Sequence, residues 1–131
     1  GVNWETFGDK ITFSVSLNFS KKKGDMYTQP DISVTDVPRS IPDILTRRKV
    51  LEQGMNIFDP LGFLSPFLLS AKKHLRETWT YKLTWDESLP ASLHKKWVDF
   101  FSHMADVSTL EYDRCLKPED AVGNPTLVIF L

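Results

Sequence analysis

LTRRKVLEQGMNIFDPLGFLSPFLLSAKKHLRETW, residues Leu45–Trp79, carries the clearest helical pattern in the chain. It reads as two helices joined by a rigid apolar elbow, Phe58-Asp59-Pro60-Leu61-Gly62-Phe63-Leu64-Ser65-Pro66. Thr46 can cap the first helix by accepting a backbone N–H bond. Arg47, Val50, Leu51, Gly54, Ile57 and Phe58 follow at helical spacing. Gly54 in mid-helix costs about 1 kcal/mol against Ala, a cost that makes sense where another backbone packs close. Arg47, Arg48 and Lys49 fill the first turn, where the helix dipole disfavours cations. A pairing of Arg48 with Glu52 at i,i+4 accounts for one of the three. Pro60 and Gly62 stop this helix. Ser65-Pro66 starts the next, with Ser65 as N-cap and Pro66 at the first helical position. There Leu68, Ala71, Leu75 and Trp79 make an apolar stripe, while Lys72, Lys73 and Arg76 gather on another face. One apolar and one basic face fit a helix lying between a core and a polyanion, and they fit an ordinary surface helix equally.

Downstream, Tyr81–Glu87 reads as a turn-like connection in which Trp85 is exposed or an anchor. A third helix runs from about Pro90 to Asp106, with Leu93, Trp97, Phe100, Phe101 and Met104 forming a wide apolar stripe. Asp99 and His103 can pair at i,i+4. The tail passes through Arg114-Cys115-Leu116-Lys117-Pro118 to Thr126–Leu131, whose TLVIFL reads as a buried strand.

Upstream, Val2–Phe7 and Ile11–Phe19 predict a β-hairpin with a turn at Gly8-Asp9. In the second run Ile11, Phe13, Val15, Leu17 and Phe19 alternate with polar residues. Lys21-Lys22-Lys23-Gly24 reads first as a solvated turn, with phosphate contact or a short nuclear-localisation cluster as other readings. Residues 25–44 hold Pro30, Pro38 and Pro42 and read as an extended linker, or as a segment laid over a partner.

The totals narrow the function classes. At 131 residues the chain is one ordinary domain at most. A hydrophobic share of 41%, with four Trp and nine Phe, argues against disorder throughout. A single Cys excludes an intramolecular disulfide framework and points to a reducing compartment. No run is apolar enough for a membrane span, and GVNWETFGD has no secretory pattern. The missing initiator Met leads us to expect an excised fragment. The net charge of −1 hides an uneven distribution. Residues 45–97 carry nine Lys and Arg against five Asp and Glu, whereas residues 98–131 carry two against six. A basic helical part attracts phosphate backbones, although uneven charge is common on solvated faces.

Enzymatic signatures are sparse. His74, His94, His103 and Cys115 lack paired metal-ligand spacing. There is no Gly-rich phosphate loop, no Gly-x-Ser-x-Gly elbow and no Asp-Thr/Ser-Gly setting of an aspartic protease. Asp86-Glu87 and Glu119-Asp120 are adjacent pairs whose default reading is solvation, not the clustered carboxylates that hold two metals.

The order of segments resembles the reverse transcriptase of BEL/Pao-type retrotransposons. GVNWETFGDKITF is similar to the Leu-Gly-x-x-Trp hairpin that closes the palm. IPDILTRRKVLEQGMNIFDPLGFLSPF resembles the family's Thr-(Lys/Arg)-Arg…Ile-(Tyr/Phe)-Asp-Pro-Leu-Gly signature. TWDESLPASLHKKW resembles its Trp-Asp-(Asp/Glu)-x-Leu-Pro segment, and RCLKPEDAVGNPTLVIFL the lead-in to RNase H. The resemblance implies an α+β fold: an N-terminal β-hairpin at the palm edge (1–24), a linker (25–44), a three-helix thumb-like bundle (45–106), and a connection with a C-terminal strand (107–131) leading into a missing RNase H-like domain. It implies a Pol-polyprotein fragment that grips a template–primer duplex, RNA–DNA or DNA, through its phosphates. The partners implied are that duplex and the palm and RNase H domains, with no membrane. The fragment is expected to hold no cofactor and no catalytic acids of its own, Mg belonging to the parent polymerase. The setting implied is the cytoplasm, in a virus-like particle, or the nucleus. Trp4, Arg47 and Arg48, with Lys49 beside them, fall in the motifs and are expected at nucleic acid; Lys72, Lys73 and Arg76 join them from the basic face. Asp59, Pro60, Leu61, Gly62 and Pro66 are expected to set the elbow's shape. A retroelement-derived protein-interaction module is the alternative. An aspartic-type peptidase, the label also attached to this region, has no residues here to support it.

Overall fold

The computed structural model describes residues 1–117 and 119–130. The chain is mixed α+β. Its strands are β1 (Val2–Glu5), β2 (Lys10–Phe13), β3 (Lys22–Lys23), β4 (Met26–Tyr27) and β5 (Glu111–Asp113). Its helices are α1 (Val37–Ser40), α2 (Arg47–Gly54), α3 (Ser65–Thr80) and α4 (Ala91–Val107).

α4 is the centre of the core. Its Leu93, Trp97, Phe100, Phe101, Met104 and Val107 are all buried, as the apolar stripe predicts. α3 packs along it, with Phe67 stacked on Phe100 at 4.7 Å. Phe19 meets Phe101 edge-on at 5.2 Å. α2 approaches through Gly54, where a Cβ would lie 2.7 Å from the Trp97 ring. The close neighbour expected at this glycine is therefore an indole, not a second backbone.

The hairpin forms with an antiparallel register of Val2 opposite Phe13 and Glu5 opposite Lys10. Its turn sets Asp9, rather than Gly8, at positive φ (51°). The second strand ends at Phe13, short of the expected Phe19. Beyond it, Leu17 makes only an isolated bridge to Ile32, and Asn18 is buried with its side chain donating to Gln29 O and Asp31 Oδ1. The linker expected at 25–44 carries structure: β4, a 3-10 turn at Val34–Asp36, and α1, whose Val37 is buried against the core.

Three further local expectations shift. α2 stops at Gly54, before Ile57 and before the elbow. Leu64, not Ser65, is the N-cap of α3, and Pro66 takes the second helical position. His103 Nδ1 meets the backbone oxygen of Asp99 at 2.6 Å, not its carboxylate. The C-terminal strand is β5, which joins β2 to give the order β1-β2-β5. Residues 126–130 form no strand and are exposed, since no described segment offers them a ladder. Leu131 and Pro118, which fall in the expected strand and tail, lie outside the described residues.

Candidate nucleic-acid interface

Thr46 caps α2 as expected, its Oγ1 accepting from Lys49 N at 3.3 Å. The cap fixes the direction of the three cations that follow, and they take different places. Arg48 is exposed and grips Asp86 with two hydrogen bonds of 2.8 and 3.1 Å. It does not pair with Glu52. Glu52 is instead held by Lys22 at 2.6 Å, with Lys49 at 3.8 Å. Lys49 Nζ also donates to Ser20 O at 2.9 Å. These contacts draw the lysine turn onto α2. Lys21, Lys22, Arg48 and Lys49, with Trp85 and Glu52, line an open groove of about 670 Å3. Burial pushes the Glu52 carboxyl up, but Lys22, Tyr27 and Lys49 outweigh it and hold the group below its usual value. The hydrogen bond from Lys22 to Glu52 raises the lysine above its ordinary range. Both stay charged near neutral pH, so four cations face two carboxylates across this surface.

Arg47, expected as an exposed phosphate contact, is buried. Its Nη1 donates to Leu83 O at 3.0 Å. Its guanidinium lies 3.9 Å from the Trp79 ring centroid and 4.5 Å from that of Trp85. Trp79, expected in the apolar stripe, is 53% exposed, while Thr78 beside it is buried. The α3 face that packs inward is rotated by one residue at this end, because the indole leaves the core to cover Arg47.

Lys72, Lys73 and Arg76 are exposed, as the basic face predicts, and make no ion pair among the described residues. Trp4 stands apart from these cations on the hairpin. Its Nε1 donates to Asp9 Oδ1 at 2.9 Å, and Arg114 lies 5.4 Å over its ring. At the elbow Gly62 makes the tight reversal, although α2 has already ended at Gly54. Gly62 adopts φ 77°, its N–H bonds Asp59 O, and the Asp59 carboxylate accepts from Leu64 N at 2.8 Å. Sequence reasoning missed Lys21, Lys22, Trp79 and Trp85 as members of one surface. The lysine run was visible, but its docking on α2 depends on contacts about thirty residues away in the chain, which no local period carries.

The Mg implied for the parent polymerase needs clustered carboxylates. Here Asp9, Asp86, Asp113, Glu52 and Glu77 each face a Lys or Arg partner, and no group of three metal-ligating side chains gathers among the described residues. These residues do not fit a two-metal centre. Among the described residues no helix is long and apolar enough to cross a membrane.

Fold and surface together define a mixed α+β unit with a basic helical side. Residues 46–131, more than half of the chain, match the family model described as Pao retrotransposon-like RNaseH-like domain. The chain belongs to that family and is a Pol region of a Pao/BEL-type retrotransposon. The match opens at the Thr46 cap and takes in α2, α3 and α4 as well as the tail. No curated protein and no solved structure matches the chain.

Proposed function

We propose that this chain is the thumb and connection region of a retrotransposon reverse transcriptase, and that it holds the template–primer duplex by its phosphates without supplying catalytic carboxylates. The observation that carries the reading is the state of the α3 cations. Lys72, Lys73 and Arg76 lie close together on α3, are exposed, and have no carboxylate partner among the described residues. An unpaired basic face on a packed helix is free to meet a polyanion. Contacts of this kind position a duplex without reading its sequence. Trp79 follows Arg76 at i,i+3, so the basic face of α3 runs toward the Arg47 cluster and the groove beside it. Metal chemistry, with Mg, belongs in this reading to carboxylates of the polyprotein other than those of this chain. The exposed apolar residues Leu127, Val128, Ile129 and Phe130 are assigned to contact with other parts of the polyprotein, the palm among them. The setting is a cytoplasmic particle.

The test is binding of an RNA–DNA hybrid across a salt series. Replacing Lys72, Lys73 and Arg76 together by Ala should weaken binding and make the log–log salt slope shallower by roughly two to three. Unchanged affinity and slope would overturn the phosphate assignment. Binding to a protein partner with little salt dependence would favour an interaction module instead.

A further inference from the structure

Two indoles and four cations form a second surface that duplex gripping by α3 does not use. Trp79 and Trp85 are 53% and 43% exposed, unusual for the largest apolar side chain. Both lie against the one guanidinium of Arg47, at 3.9 and 4.5 Å. Arg47 is itself anchored to Leu83 O, and Arg48 N donates to Trp85 O at 2.9 Å. The rings are therefore held in place before any partner arrives. Beside them Lys21, Lys22, Arg48 and Lys49 line the groove that Trp85 also lines; Glu52 sits among them, shared by Lys22 and Lys49, and Asp86 holds Arg48, so the four cations outnumber the two carboxylates and the groove stays net positive.

Exposed aromatic rings next to a cationic groove are what an unpaired strand of nucleic acid requires. Bases stack on the rings whatever their identity, and the cations follow the backbone. A protein partner fits less well: tryptophan and arginine are common in protein interfaces, but lysine is depleted in their buried centre, and three of the seven residues lining this groove are lysines. We infer that Trp85, with Trp79 beside it, stacks the bases of a single-stranded stretch whose phosphates run along Lys21, Lys22, Arg48 and Lys49. This rests on the nucleic-acid reading above and adds to it a class of substrate, the unpaired strand next to the duplex.

The test uses the whole chain, a single-stranded oligothymidylate and an abasic oligomer of equal length and charge. The oligothymidylate should bind about tenfold tighter and quench tryptophan emission, since only it has bases to stack. Trp85→Ala should lose most of that preference while keeping the hybrid affinity; Trp85→Phe, which retains a ring, should keep part of it. The first comparison needs no variant, so it decides even if Trp85→Ala fails to fold. Equal binding of the two oligomers, with hybrid binding still lost on neutralising Lys72, Lys73 and Arg76, would overturn the stacking inference alone. Absence of binding to both oligomers and to the hybrid would overturn it together with the duplex reading. Capture of a protein partner in competition with oligothymidylate at Trp85, without base preference, would likewise overturn it.

Discussion

Gly54 sits against Trp97 so closely that a methyl group added to it would lie 2.7 Å from the indole Cζ3 and 3.1 Å from Cη2. Neither atom can yield easily, since Trp97 is fully buried among Phe100, Phe101 and His74. Two effects compete in Gly54→Ala. Helix propensity favours alanine by about 1 kcal/mol. Overpacking a filled core costs about 1–3 kcal/mol. The second wins here, because the clash is with a rigid ring and Gly54 ends α2, where propensity counts least. Urea unfolding should show Gly54→Ala less stable than the parent. A more stable variant would mean that α2 and α4 can move apart.

Arg47 is buried in the fold, whereas Lys72, Lys73 and Arg76 stand exposed on α3. Arg47→Met keeps the aliphatic stem but removes the bond to Leu83 O and the contacts with Trp79 and Trp85. A hydrogen bond from a charged group and a partly desolvated cation–π contact together set the cost at about 2–4 kcal/mol. Lys72→Ala, Lys73→Ala and Arg76→Ala touch no described partner and should each stay within about 0.5 kcal/mol of the parent. Chemical denaturation of the four variants separates the buried cation from the exposed ones. A neutral Arg47→Met would show that the stack contributes little.

The same contrast explains what could be read from the residues alone. The α4 stripe, the Thr46 cap and the Asp59–Gly62 turn are local, fixed by spacing or by one side chain's chemistry, and each lies where its residues predict. Arg47, Arg48 and Glu52 are different. Their partners Leu83, Asp86 and Lys22 come from the connection after α3 and from β3, far along the chain. Helical spacing offers only i,i+3 and i,i+4 neighbours, so it reaches Lys49–Glu52 and suggests Arg48–Glu52 but cannot reach Leu83, Asp86 or Lys22. The run at 126–130 shows the converse: strand propensity without a partner strand yields no strand.

At the elbow the cost of change divides between a side chain and a backbone angle. Asp59→Ala removes the acceptor for Leu64 N–H and should cost about 1 kcal/mol, as the loss of a helix cap does. Asp59→Asn keeps an oxygen in that place and should cost less. Gly62→Ala meets only an ordinary contact, Ser65 Oγ at 3.5 Å, so its penalty comes from φ 77° and should be roughly 1–2 kcal/mol. Thermal unfolding of the three variants checks the order. If Gly62→Ala is neutral, the elbow can adopt a second turn.

Acid should weaken the α3–α4 contact through His74. Burial holds its imidazole below the ordinary histidine value of 6.5; Lys96 adds to this and Glu77 opposes it. The ring meets Trp97 edge-on at 5.9 Å, and its Nδ1 is buried without a partner, so a proton there would have no acceptor. The folded chain therefore binds fewer protons at this site than the unfolded chain. Its contribution to stability is complete above the unfolded value of 6.5 and is lost as pH falls below it through the depressed folded value. The urea midpoint should fall between about pH 7.5 and pH 5, and His74→Phe, which keeps a ring against Trp97 and cannot titrate, should flatten that fall. His94 and His103 remain in both proteins, so the difference between the two curves reports His74. Parallel curves would show that the imidazole finds water or Glu77 when protonated.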